Sequence, residues 1–286
     1  MQVVVFGAGG YIGRHITEHL RRIGIDVICY SSASGGTFDL KTGLLADSVS
    51  IPPGTDGVIY LSQSSYYRQM PEKAEHLWGV NVISAMKAAE LSRRAGVQRF
   101  IYASTGNVYA PSFLPLHEAC PVRRDDWYAL SKLHAEEVLA LFKNDMSVTA
   151  ARLFGVYGPN QADKLVPNLA TAIRSGTPIK LAPNADNDLD AGGLKLSLCY
   201  IDDAVDIFSC LVSHEGPDVL NIAGKEALSI RDIVLAIGEQ CGVAPQFEIA
   251  SQPRAFNLIA DVTKLIGMFN PEFTLFAEGI RRTLEA

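Results

Sequence analysis

Long apolar runs are missing from this 286-residue chain. Glycine or charge interrupts every candidate before about 18 residues, the shortest stretch expected of a membrane-spanning helix, so no membrane partner is expected. Cationic runs are missing too. Acidic residues outnumber basic ones 31 to 25, for a net charge of −6, and no Lys/Arg stripe is present to neutralise a phosphate backbone. Nucleic acid is therefore not an expected partner. Cysteine is sparse: Cys29, Cys120, Cys199, Cys210 and Cys241 are scattered and form no CxxC pair for zinc or a redox disulfide. Reduced thiols in a cytoplasmic protein are the expectation. Met1 leads directly into Val3 to Phe6, without the basic leader and small-residue cleavage site of a secretory signal. Neither a GxSxG elbow nor a Walker sequence occurs, so acyl and phosphoryl transfer lack their usual marks. His15-Ile16-Thr17-Glu18-His19 matches an HxxEH zinc arrangement, but it follows Gly13 directly in what reads as the first helix of the fold. No metal site is assigned to it.

What is present is a rhythm. Short apolar runs (Val3 to Phe6, Val27 to Tyr30, Val58 to Leu61, Phe100 to Ala103, Val148 to Leu153) alternate with longer segments of helical spacing. Those segments are Tyr11 to Ile23, Val80 to Ala95 and Asp126 to Phe142, with Gly24 and Gly96 where helix ends favour glycine. This alternation is the mark of βαβ units. The fold class expected is α/β, a doubly wound parallel sheet of the Rossmann type with a smaller interleaved substrate-binding lobe. The dinucleotide-binding domain is expected over 1–160, rejoined by 195–225, and the lobe over 161–194 and 226–286. A strand at Leu196 to Ile201 and a helix from Asp203 to Val212 are expected to return to the sheet. Pro183 to Gly193, rich in Asn, Asp and Gly, is expected to be a loop.

The first strand runs into Gly7-Ala8-Gly9-Gly10-Tyr11-Ile12-Gly13. Glycines at such a turn let the backbone approach a ligand, while the unpaired amides and dipole of the following helix face negative phosphates. A strand–glycine turn–helix context is the one in which this pattern binds a dinucleotide pyrophosphate. The acid that ordinarily ends the second strand and holds the ribose 2′-hydroxyl is replaced by Tyr30, Ser31 and Ser32. Small hydroxyls leave room for a 2′-phosphate, so the choice between NAD and NADP stays open.

Tyr128 and Lys132 stand four residues apart on one helical face. A free phenol titrates near pH 10, and a fixed cation beside it favours the phenolate and makes it a usable acid/base at neutrality. About 20 residues upstream, a strand ends in Ser104-Thr105-Gly106-Asn107-Val108-Tyr109, at the carboxyl edge of a parallel sheet where ligands bind.

Taken together, GxxGxxG at Gly7, Gly10 and Gly13, the Tyr128/Lys132 pair and Thr105 resemble the NAD-dependent epimerase/dehydratase branch of the extended short-chain dehydrogenase/reductases. Weaker motifs recur in order through nearly the whole chain: Asn81-Val82, Arg152-Leu153-Phe154-Gly155-Val156-Tyr157-Gly158-Pro159, Tyr200-Ile201-Asp202-Asp203, Leu220 to Gly224, and Asp261 to Lys264. The resemblance implies an enzyme in which Tyr128 is the general acid/base, Thr105 bonds the reacting sugar oxygen, and Lys132 holds the cofactor ribose and tunes the phenol. It places the cofactor, NAD or NADP, against Gly7, Gly10, Tyr11, Ile12, Gly13, Ser31, Asp39, Leu40, Leu61, Ser62, Gln63, Asn81, Tyr128 and Lys132. It implies a nucleotide-sugar substrate touching Thr105 and Gly155, with Lys195 and Arg254 as candidates for its phosphates, and a homodimer built on the helices that begin near Val80 and Asp126.

Departures from the family pattern narrow the reading. The acidic pair that follows the threonine in dehydratases is Gly106-Asn107 here, and the substrate-positioning asparagine of RxxNxYGP is Gly155. An epimerase is the first expectation. The runner-up is an NADPH-dependent keto-sugar reductase, favoured by the missing acid at Ser31. A non-catalytic NAD(P)-binding protein that kept the fold comes third.

Overall fold

The structure, a computed structural model, describes residues 1–32, 35–184, 187 and 190–285. In chain order the first half contains β1 (Gln2–Phe6), α1 (Tyr11–Arg22), β2 (Asp26–Tyr30), β3 (Gly57–Tyr60), α2 (Ala74–Trp78), α3 (Ser84–Ala95), β4 (Arg99–Thr105), α4 (Trp127–Leu139) and β5 (Ser147–Leu153). The second half contains β6 (Val156–Tyr157), α5 (Leu165–Arg174), β7 (Ile179–Leu181), β8 (Lys195–Ser197), β9 (Cys199–Tyr200), α6 (Ile201–Ser213), β10 (Val219–Ile222), β11 (Ala227–Ser229), α7 (Ile230–Cys241), β12 (Phe247–Ile249), α8 (Thr263–Phe269) and α9 (Phe276–Glu285). Among the described residues no helix is long and apolar enough to cross a membrane.

Six strands form one central parallel sheet in the order β10-β5-β4-β3-β1-β2. Its inner strands β1 and β3 read as Val, Ile and aromatic runs because helices cover both faces, so Val3, Val4, Val5, Phe6, Val58, Ile59 and Tyr60 are all fully buried. Strand order reverses between β1 and β3: β2 lies on one side of β1, and β3 and β4 on the other. Such a reversal leaves a crevice at the carboxyl ends of the two strands, where ligands of open α/β sheets bind.

Two compact units make up the chain. One comprises Met1–Val108, Val122–Arg152 and Val205–Leu220, and the other Tyr109–Pro121, Leu153–Ala204 and Asn221–Ala286. The second unit holds the short strand pairs β8/β11, β7/β12 and β6/β9. It also holds helix α7, whose start is closed by a reciprocal capping box between Ser229 and Asp232.

The segment expected as one strand over Leu196 to Ile201 is two short strands, and neither joins the central sheet. β8 pairs antiparallel with β11, β9 pairs with β6, and α6 begins at Ile201 rather than Asp203. Five apolar residues interrupted only by Ser197 have no period that distinguishes one strand from two with a break at Leu198. Of the Pro183 to Gly193 loop, residues 185, 186, 188 and 189 lie outside the described residues.

A further difference bears on the site. Between α2 and α3 the chain makes a π-turn over Gly79–Ile83, so the helix expected from Val80 begins earlier and is wider at its start. Close approach requires Gly79 here, because a Cβ would collide with the Thr42 carbonyl oxygen. Two buried phenols bond carbonyls in this turn: Tyr60 donates to Val80 O at 2.6 Å and Tyr102 to Asn81 O at 3.0 Å. Their rings stack 5.9 Å apart at the middle of the sheet. Tyr102→Phe keeps the ring and deletes the donor, so it should cost about 1–2 kcal/mol in urea unfolding, the penalty of an orphaned buried carbonyl. An unchanged midpoint would show that the turn does not depend on this bond.

Candidate active site

Helix α4 starts on Asp126, whose side chain accepts from the Ala129 amide at 2.8 Å. This cap sets the rotation of the helix, and the two turns that follow carry Tyr128 and then Lys132 on the side facing β4. The Tyr128 hydroxyl donates to Gln63 Oε1 at 3.0 Å, and its ring lies 5.3 Å from that of Tyr67. Burial pushes the phenol well above its ordinary pKa, and hydrogen bonding with Thr105 works in the opposite direction. Thr105 ends β4 and is itself buried, with its Oγ1 accepting from the Asn107 amide at 3.2 Å. Tyr128, Thr105 and Gln63 thus come from three different elements to one place.

Lys132 is 2% exposed. Its Nζ donates to Ala103 O at 2.8 Å and lies 4.8 Å from the centre of the Tyr102 ring. Burial pushes its pKa down to about 7, and the negative charge of Glu136 opposes that shift. Glu136 is gripped by Arg152, with Nη2 to Oε2 at 2.6 Å and Nε to Oε1 at 3.1 Å, and it also accepts from Ser104 Oγ. Sequence reasoning passed over this cluster, although Glu136 follows Lys132 by four residues.

At the crevice between β1 and β3 lies a cleft of about 450 Å³, lined among others by Gly7, Gly9, Gly10, Ser31, Leu61 and Ser62. Gly7 has φ +82°, and a Cβ there would approach the Ser62 amide nitrogen to 2.8 Å. A Cβ at Gly13 would collide with the Gly7 carbonyl, so the turn and α1 meet only through glycine. Ser62 Oγ is buried without a hydrogen-bond partner. A pyrophosphate-bearing dinucleotide fits such a place: it offers acceptors to the open helix start and a partner to the orphaned hydroxyl.

The other expected cofactor residues are placed as follows. Gln63, Asp39 and Leu40 line the same cleft, and Leu40 is 73% exposed. Asp39 Oδ1 accepts from the amides of Lys41 and Thr42 and from the Thr42 hydroxyl, which holds its carboxyl below the usual range and closes the turn. Tyr11 and Ile12 open α1, with the Tyr11 ring against His15. Asn81 is fully buried behind the cleft, where it accepts from the Ser64 amide and donates to Ser131 Oγ at 2.9 Å. That pairing makes it a brace between the β3 loop and α4. His76, unforeseen from the sequence, also lines the cleft and bonds Ser64 Oγ at 2.8 Å.

In the second unit, Gly155 lies against Leu198. Arg254 differs from the exposed cation that a phosphate contact calls for. It is buried, and its guanidinium donates to Ala182 O, Asp190 O and Asn257 Oδ1 and forms an ion pair with Asp190. Lys195 pairs with the same carboxylate at 3.2 Å. Asp190, in the Asn/Asp-rich segment read as a loop, is therefore shared between the two cations.

Residues 3–223 match the sequence profile of the NAD dependent epimerase/dehydratase family. The chain belongs to that family. Over 324 aligned residues it is 26% identical to the UDP-glucose 4-epimerase of Mycolicibacterium smegmatis, covering all of this chain and 98% of that one. It is 22% identical to a putative UDP-glucose 4-epimerase of Methanocaldococcus jannaschii, with 99% and 97% covered. Its fold matches the UDP-glucose 4-epimerase of Thermus thermophilus in complex with NAD (TM-score 0.76, 23% identity, 100% and 98% covered). It likewise matches the UDP-glucuronic acid 4-epimerase of Bacillus cereus in complex with UDP-glucuronic acid and NAD (TM-score 0.79, 19% identity, 100% and 98% covered).

A lysine held in this way weakens the fold. Its folded pKa lies below its unfolded one, so near neutrality the unfolded chain binds the proton more tightly and folding loses stability that returns as pH rises toward the unfolded value. Lys132→Met should therefore raise the melting temperature of the cofactor-free protein by a few degrees near pH 7.5, roughly 1–3 kcal/mol, with the gap narrowing toward pH 9.5. A melting temperature that falls at both pH values would contradict this.

Proposed function

We propose that the protein is an NAD-dependent nucleotide-sugar epimerase that inverts a hydroxyl-bearing carbon by reversible hydride transfer. The observation that carries this reading is the convergence of Tyr128, Thr105 and Gln63 above the buried Lys132, in the same unit as the glycine-turn cleft. The names of the family relatives point to C4 of a UDP-hexose as the carbon inverted.

In this reading Gly7, Gly10 and Gly13 shape the turn for the pyrophosphate, Ser62 and Gln63 line the inner wall, and Lys132 supplies ribose contact. A nicotinamide held there would supply the hydride acceptor and donor. Tyr128 takes the proton from the sugar hydroxyl as the C–H bond breaks, and returns it when the carbonyl is reduced from the opposite face. Thr105 donates to the same sugar oxygen. For the phenol to act as base its raised pKa must come down; a positive charge beside it would act in that direction, and Lys132 stands one helical turn away. The chain's contribution is orientation and charge stabilisation at one oxygen. Ser31 and Ser32, in place of an acid after β2, favour a second reading as an NADPH-dependent keto-sugar reductase. The homodimer on the α3 and α4 faces and the cytoplasmic location belong to the same proposal.

Protein purified without added nucleotide should release close to one NAD per chain on denaturation, measured by chromatography. Empty protein that takes up NADPH instead would favour the reductase. Tyr128→Phe should lower turnover of UDP-glucose or UDP-galactose by about 10²–10⁴-fold while NADH binding, followed by fluorescence, stays within a few-fold. Unchanged turnover would remove Tyr128 from the mechanism.

A further inference from the structure

Most of the buried charge in the first unit lies in one cluster that the proposed reaction does not use. Glu136 and Arg152 are an ion pair with side chains 6% and 5% exposed, and Glu136 also receives Ser104 Oγ. Burying two charges costs several kcal/mol per ion, and a well-packed apolar pair in the same volume is often equally stable. Stability therefore gives no reason for the pair. Its position gives one: Glu136 stands one turn beyond Lys132 on α4, and Ser104 immediately precedes Thr105 on β4.

We propose that Glu136 is a positioning residue of the reaction centre, an anion held by Arg152 and Ser104 that keeps the buried Lys132 protonated and ties α4 to the strand end carrying Thr105. This rests on the functional reading above for its consequence in turnover, but not for its effect on Lys132.

The groups facing Lys132 are few. From β4 come the Ala103 carbonyl and the face of the Tyr102 ring, whose phenol stays neutral because burial raises its pKa far above the ordinary value. From α4 itself come Tyr128, one turn before, and Glu136, one turn after. From β5 comes Arg152, which acts through Glu136 and is committed to its carboxylate by contacts at 2.6 and 3.1 Å. Among the described residues Glu136 is thus the anion that offsets the desolvation of the ammonium. Arg152 fixes that anion in place. Without it, the lysine in a dry site would lose its proton below neutral pH, and with it the positive charge one helical turn from the Tyr128 phenol.

The test reads Lys132 directly, in the cofactor-free full-length protein with ¹⁵N-labelled lysine, following the side-chain nitrogen against pH by NMR and assigning it by its loss in Lys132→Met. Glu136→Gln should move the Lys132 titration down by at least one pH unit, a tenfold change in proton affinity, while Glu136→Asp keeps most of it. Because Glu136→Gln removes the carboxylate that balances a buried guanidinium and could fail to fold, Glu136→Gln/Arg152→Gln, which removes both charges together, should give the same downward shift. In the wild type and in either folded variant, the alkaline fall of NADH affinity should follow the Lys132 titration. A variant that melts lower but leaves Lys132 titrating as in the wild type overturns the proposal and reduces the pair to a structural brace. If turnover of nucleotide sugars is never found while Lys132 shifts as stated, the functional reading fails and this inference stands.

Discussion

Everything at this site depends on one ammonium taken out of water. Lys132 has a single carbonyl and an aromatic face as its immediate company, and a cation so placed is felt far more strongly by its neighbours than one in solvent. That burial is what pushes its pKa down. Groups elsewhere in the first unit make the burial possible. Asp126 caps the helix that carries the lysine, Tyr60 and Tyr102 bond the carbonyls of the π-turn alongside, and Asn81 within that turn braces Ser131 on the same helix.

The same packing places a neutral, hydrogen-bonded phenol at the edge of the cleft. In the cofactor-free protein Tyr128 is held above its ordinary pKa and donates to Gln63. A phenol in that state is neutral and has its proton shared with an amide oxygen. The parallel sheet gives the geometry at little cost, since the reversal of strand order between β1 and β3 opens the cleft without bending a strand.

Much of this was legible in the sequence because it is local. The glycine turn, the Tyr128/Lys132 spacing and the strand ending at Thr105 each lie within a few residues, and the alternation of strands and helices ordered them. What was not legible depends on partners distant in the chain. Nothing in Val80 to Ala95 announces a π-turn, because its cause is the approach of Thr42 to Gly79 and two tyrosines reaching in from β3 and β4. Arg254 read as an available cation because its partner Asp190 stands 64 positions away. The bonds of the Asn81 amide to Ser64 and Ser131 likewise join residues 17 and 50 positions apart. The split of Leu196 to Ile201 into two strands came from pairing with β11 and β6, which no periodicity within six residues could encode.

The central claim is that a hydride leaves a sugar carbon and returns to it without meeting solvent, and one measurement tests it most directly. A UDP-hexose carrying deuterium at C4 is incubated with the protein in ordinary water until the two epimers equilibrate, and both are examined by NMR. The account predicts that deuterium stays at C4 in substrate and product alike. Epimerisation with replacement of the label by solvent hydrogen would contradict it, because the carbon would then exchange its hydrogen with water rather than with a cofactor held in the Gly7–Ser62 cleft.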